Sequence, residues 1–369
     1  MGNVPETIQT WQMTRPWTLN KDTGEKVPGV LERTSIPTPD LGEDEVLVEI
    51  AGCGVCHTDL GYFFDGVPTV NSPPLTLGHE ISGAVVAGPS GLVGKHVIVP
   101  AVLPCGTCEI CSRGRGNRCL RQKMPGNSHG IFGGFSSHIP VPARGLCVIE
   151  DLKGIPLSHY AVVADAGTTP YQAALRGQLT PGDVAVVIGA AGGVGIYMTQ
   201  IAKALGVSAL IGVEHGEDKV QRALEAGADF GIDTRGKDLK ALRNEFKETT
   251  KAHGVQANFG LKIFECSGTT AGQEVGLTLL TFVSKLVIVG YTTGTLPFMF
   301  SRLMAFDAEI IGTWACLPEH YPKVLELVQS GKVTIEPYVE TRPMSQIREV
   351  FDDQHAGKFV RRIVLTPDF

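Results

Sequence analysis

The rhythm of apolar and polar positions changes once along the chain. Up to about residue 164, apolar residues come in short runs cut by glycine and proline: residues 46–50 alternate like a half-buried strand, and residues 81–87 and His96–Val99 are brief apolar stretches. This predicts a β-rich region without a long helix. From about 165, the apolar runs Val184–Ile188, 209–213 and 286–289 are separated by helical patterns, as in a parallel α/β sheet. The clearest helix is 194–205. Its apolar positions Val194, Met198, Ile201 and Leu205 step by four, three and four, Lys203 sits in the last turn and Gly206 follows as a stop. Past about 314, a helix near Tyr321–Gln329 and a strand over 362–365 are expected to return to the first region. The expected organisation is 1–164, 165–314 and 315–369.

Composition narrows the function classes. A chain of 369 residues exceeds what one core usually holds, which points to two domains. With 43% apolar and 19% charged residues and a formal charge of -6, it lies far from disordered chains and is a poor general nucleic-acid binder. The first twenty residues lack an apolar core followed by a small-residue cleavage site, so a cytoplasmic protein is expected. Residues 184–202 carry no charge over nineteen positions, near the length of a membrane span, but four glycines with Thr199 and Gln200 make them a strand and a helix instead. No membrane partner is expected.

Nine cysteines is an odd number, and in a reducing compartment a tight cluster favours metal over disulfides. Cys105, Cys108, Cys111 and Cys119 form such a cluster, C-x2-C-x2-C-x7-C. Four thiolates at this spacing can close a tetrahedral shell around one zinc with no open position, which defines a structural site; disulfides or an iron–sulfur cluster are the other readings. A second group is Cys56-His57-Thr58-Asp59 followed by Gly78-His79-Glu80. Cys56 and His79 can meet on a zinc that keeps a position for substrate, with Asp59 orienting the imidazole through its other nitrogen; a histidine satisfied within the core is the plainer reading.

A third signal is the apolar run Val184–Ile188 leading into Gly189, Gly192, Gly193, Val194 and Gly195 and then the helix. Glycines at a strand-to-helix turn let a pyrophosphate approach the backbone and the helix N-terminus. Glu214 lies nineteen residues past Gly195 at the end of the next apolar run, where a carboxylate binds ribose hydroxyls and repels a 2′-phosphate, favouring NAD over NADP.

With both zinc motifs and the nucleotide turn in this order and spacing, the chain resembles the zinc-dependent medium-chain dehydrogenases, the alcohol dehydrogenase superfamily, over essentially its whole length. The resemblance implies an α/β protein with a GroES-like β-rich catalytic domain and a Rossmann doubly wound coenzyme domain. It also implies two zinc ions per chain, NAD, a small-molecule substrate and a homodimer or homotetramer. Cys56 and His79 take the places of catalytic zinc ligands, and Glu80 that of the nearby acid that can exchange onto the metal. The third ligand falls in 165–171, where alcohol dehydrogenases usually have cysteine and this chain has Asp165; Asp165 or Glu80 completes the set. Thr58 matches the hydroxyl that contacts the reacting alcohol, and His57 the basic residue near the coenzyme pyrophosphate. Thr169 matches a residue behind the nicotinamide, and Lys219, Val289 and Thr313 are further coenzyme positions. Gly61 stands where many relatives have the histidine that ends the proton relay, so proton release takes another route here.

Two segments, 59–68 and 124–130, resemble dehydrogenases that oxidise a ring hydroxyl of a cyclic enoyl-CoA, which implies a CoA thioester as substrate. A dehydrogenase for simple alcohols, or an enoyl-CoA reductase using the same site, are the alternatives. The lobe holds Arg113, Arg115, Arg118, Arg121 and Lys123 against Glu109, so it is a candidate dock for CoA phosphates; a solvated basic face is the competing reading.

Overall fold

The computed structural model describes residues 4–369 and divides the chain into two compact units. The first comprises residues through Thr168 together with 315–329 and 334–369; the second comprises 169–314 and 330–333.

A seven-stranded sheet organises the first unit. Its strands run in the order Cys147–Ile149, His96–Val99, Glu80–Ala87, Glu45–Gly54, Arg362–Thr366 and Val339–Pro343, with His138–Pro142 also paired to Glu45–Gly54. The alternation at 46–50 has a simple cause. Val46, Val48 and Ile50 join the main core with Ile81, Val97, Ile139, Phe351 and Leu365, while Leu47 points the other way into a small cluster with Ile8 and Ile36. The terminal strand inserts antiparallel beside Glu45–Gly54, with Val364 opposite Gly54. One element was not foreseen: His57–Phe64 is a helix of eight residues, too short to display a period.

The second unit is a parallel sheet whose strands we number β1 (Val184–Ile188), β2 (Ala209–Glu214), β3 (Phe230–Asp233), β4 (Lys262–Glu265), β5 (Lys285–Ile288) and β6 (Glu309–Gly312). Their order is β3-β2-β1-β4-β5-β6, with every pair parallel, the doubly wound arrangement. The continuous apolar runs reflect burial on both faces. Ala185, Val187, Leu210 and Phe264 pack against Met198 and Ala202, while Val186, Ile188, Ile211 and Ile263 pack against Leu242, Phe246 and Val275. The helix Gly195–Ala204 has Val194 and Leu205 as its flanking caps. The run predicted at 286–289 is paired at Lys285–Ile288, because Val289 leaves the ladder and donates its amide to the Glu265 carbonyl. No helix among the described residues is long and apolar enough to cross a membrane.

Candidate active site

The first unit gathers Cys56, His79, Glu80 and Asp165, each offering one ligand atom, all within 4.8 Å of one another. Two paired strands and a 3-10 run explain the convergence. Cys56 follows the strand Glu45–Gly54, His79 and Glu80 open the strand paired to it, with Gly54 opposite Glu80, and Asp165 ends the 3-10 run Leu157–Ala164. Gly54 is required here, since a Cβ on it would meet the Glu80 carboxylate at 2.0 Å. His79 is 2% exposed; its Nδ1 lies 3.3 Å from Asp59 Oδ1 and its Nε2 3.6 Å from Asp165 Oδ2. Asp59 is itself held by the backbone amides of Cys56 (3.1 Å) and Gly78 (3.0 Å). Cys56 Sγ lies 3.8 Å from Asp165 Oδ2 and 3.6 Å from the Thr58 hydroxyl, while His57 is exposed at the start of its helix.

These residues fit a zinc ion. A tetrahedral shell at ordinary Zn–S, Zn–N and Zn–O lengths separates neighbouring ligand atoms by about 3.4–3.6 Å, close to the distances found. The electrostatics agree. Burial works against protonation of His79, yet Asp59, Asp165 and Cys56 outweigh it and lift the imidazole well above its usual range, so the cluster draws positive charge inward.

Sequence reasoning missed Arg362. It is 6% exposed and forks onto Glu80, with Nε 3.0 Å from Oε2 and Nη2 bonded to Oε1. Burial raises the Glu80 carboxyl above its usual range, and this guanidinium offsets only part of that rise. A single arginine ahead of the apolar run 363–365 in the strand Arg362–Thr366 was the available signal.

In the lobe, sulfur separations are 3.4 Å for Cys105–Cys119 and Cys108–Cys111, 3.6 Å for Cys108–Cys119 and 4.0 Å for Cys105–Cys111. A tetrahedron with Zn–S near 2.3 Å has edges of about 3.8 Å. No disulfide joins any of the nine cysteines, all of which lie among the described residues, which corrects the disulfide alternative. The Cys105 thiol is drawn down to about 5, chiefly by the Thr107 backbone amide, while burial and the neighbouring thiols push Cys111 up to about 12. Four thiolates therefore coexist only around a cation.

The basic residues of the lobe are less available than expected. Arg113 pairs with Glu109, Lys123 with Glu45 at 3.0 Å, and Arg121 turns onto Cys105 and Thr107. As a dock for CoA phosphates the lobe thus loses at least Arg113, Arg121 and Lys123 to internal partners.

In the second unit the coenzyme candidates sit beyond the carboxyl ends of the strands. Gly189, with φ +74°, turns the chain after β1, and a Cβ on Gly195 would strike the Gly189 carbonyl at 1.8 Å. Glu214, 8% exposed at the end of β2, accepts the Ala191 amide at 2.6 Å and its neighbour His215's amide at 3.2 Å, so it clamps the turn. Gly192, Gly193 and Val194 complete the turn. Val289 follows β5, Thr313 follows β6 with its buried hydroxyl unpartnered, Lys219 is exposed on the helix Glu217–Glu225, and Thr169 lies in Thr168–Arg176. A second buried acid, Glu265 at the end of β4, holds the Ser267 amide at 2.8 Å and was not singled out from sequence.

Comparison with known proteins agrees with this geometry. Residues 42–151 match the alcohol dehydrogenase GroES-like domain and residues 193–330 the zinc-binding dehydrogenase domain. An alcohol dehydrogenase of Geobacillus stearothermophilus is 31% identical over 341 residues, 91% of this chain and 95% of the relative. An NAD-dependent alcohol dehydrogenase of Sulfolobus acidocaldarius is 30% identical over 349 residues, 91% and 96% of the two chains. The crystal structure of the Aeropyrum pernix alcohol dehydrogenase superposes with a TM-score of 0.81 at 28% identity, covering 97% of this chain and 100% of that one. The chain belongs to the zinc-dependent medium-chain dehydrogenases of the alcohol dehydrogenase superfamily.

Proposed function

We propose that this NAD-dependent dehydrogenase oxidises a secondary ring alcohol carried on a CoA thioester, 6-hydroxycyclohex-1-ene-1-carbonyl-CoA, to the 6-oxo compound, a step of anaerobic benzoyl-CoA breakdown. The reaction class rests on one observation: Cys56, His79 and Asp165 converge beside the Thr58 hydroxyl. Zinc held there supplies a Lewis acid that lowers the alcohol's pKa, and NAD supplies the hydride acceptor. Cys56, His79 and Asp165 are the zinc ligands in this reading, because both oxygens of Glu80 are engaged by Arg362. Thr58 relays the proton from the substrate hydroxyl, accepting it while passing its own hydroxyl proton on towards solvent. In the second unit, Gly189 to Gly195 cradle the pyrophosphate and Glu214 takes the ribose hydroxyls.

The ring substrate is supported by the resemblance of 59–68 and 124–130, and by how these segments meet. Asn127 donates to the Tyr62 hydroxyl at 2.5 Å and accepts the Val70 amide at 2.8 Å, while Asn71 Oδ1 accepts the Gly130 amide at 3.0 Å. One wall results. Burial pushes Tyr62 up to about 12, so it keeps its proton and does not act as a base. NADH formation with the cyclic hydroxy-enoyl-CoA, set beside cyclohexanol, ethanol and the corresponding free acid, tests the reading. A kcat/KM at least a hundredfold above that for every free alcohol is expected. Higher activity on simple alcohols, the substrates that the names of the relatives suggest, overturns it.

A further inference from the structure

The four-cysteine lobe has an electrostatic problem that its ligands alone do not solve. Four thiolates around one divalent ion leave two excess negative charges, and Cys105, Cys108 and Cys111 are only half-buried, open to protons and electrophiles. Arg121 is placed against this excess. Its backbone amide donates to Cys119 Sγ at 3.2 Å, and its Nη2 reaches Cys105 Sγ at 3.5 Å and the Thr107 hydroxyl at 3.0 Å. That hydroxyl is in turn 3.7 Å from Cys105 Sγ. Arg113 and Lys123 are paired with carboxylates instead.

We infer that Arg121 is an outer-shell positioning residue of the structural zinc site, holding Cys105 on the metal and shielding its sulfur from attack. A guanidinium suits the task because its planar fork reaches sulfur and hydroxyl together, and it stays charged at every working pH. Partners of this kind commonly change metal retention by an order of magnitude or more. A weaker effect is expected here, since the guanidinium is exposed and partly screened.

The test uses the full-length, zinc-loaded protein and a metallochromic chelator that reports zinc release. Arg121→Gln should release the lobe zinc roughly three- to tenfold faster than wild type, with Arg121→Lys in between. High salt should narrow the gap between wild type and Arg121→Gln, because the lost interaction is electrostatic. Limited alkylation with iodoacetamide, mapped by mass spectrometry, should move Cys105 to the first modified position in Arg121→Gln. Thr107→Val, which removes only the hydroxyl relay, should shift both readouts in the same direction by less and serves if Arg121→Gln does not fold. Equal release rates in wild type, Arg121→Gln and Thr107→Val would overturn the inference. So would faster release that ignores salt and leaves the order of alkylation unchanged, since that pattern marks a packing role.

Discussion

At the scale of single residues, the site depends on where charges are balanced. Glu80 and Arg362 are both nearly inaccessible, so neither is tolerable alone. Arg362→Ala should lower unfolding free energy by about 3–5 kcal/mol in urea titrations, because it strands a buried carboxylate. The double change Arg362→Met with Glu80→Met should recover most of that loss; a double variant as unstable as the single one would show that the pair is not the cause. Glu214 sets a different balance. Since it accepts the Ala191 amide, Glu214→Ala should both raise the KM for NAD and cut the NAD-over-NADP ratio of kcat/KM by at least tenfold. An unchanged ratio would remove Glu214 from coenzyme choice. Asp59, Glu80 and Asp165 were visible as acids in a motif, whereas the role of Arg362 was not, since nothing local to it marks a partner at the far end of the chain.

Elements place these residues by geometry that backbone hydrogen bonds enforce. The strand, glycine turn and helix from Val184 to Ala204 were legible because each obeys a local rule: an apolar run, positive φ at Gly189, and an apolar step of three and four. The turn leaves no room. Gly195→Ala would put a methyl against the Gly189 carbonyl, so NAD affinity measured by calorimetry should fall tenfold or more while zinc content stays at wild-type level. Wild-type affinity in that variant would mean the turn relaxes and does not define the pyrophosphate site. The helix His57–Phe64 is the opposite case. It carries Thr58 and Asp59, yet its glycine and two adjacent phenylalanines look like any apolar stretch, and only the sheet before it and the core beneath it make it a helix.

Across the whole molecule, burial couples stability to pH. His129, His138 and His159 are all held below the usual 6.5 by burial, the last two less deeply enclosed. Their folded pKa values lie under the unfolded value, so the unfolded chain binds more protons as pH falls through 6.5. Their contribution is therefore complete above that point and is lost below it. The melting temperature should drop between about pH 7 and pH 5.5, and His129→Gln, which can still donate to the Pro140 carbonyl, should flatten the drop. A variant with the same pH slope as wild type would assign the acid sensitivity elsewhere.

Sequence alone determined the features that live within one turn or one strand. The cysteine spacing from 105 to 119, the pair His79-Glu80 and the glycine turn name their chemistry because neighbours in sequence are neighbours in space, and Glu214 follows the turn by the length of one helix and strand. Tertiary structure decided which of these are joined. Asp165 meets Cys56 across 109 residues and Arg362 meets Glu80 across 282, and these meetings follow from the insertion of the terminal strand beside Glu45–Gly54 and from the path of 157–165. Tertiary structure also turned the lobe's arginines from a free basic patch into partners of carboxylates and thiols. The reason is physical: a local spacing constrains a few dihedral angles, whereas a long-range pair depends on strand register and on the cost of burying charge, and only the assembled sheet sets both.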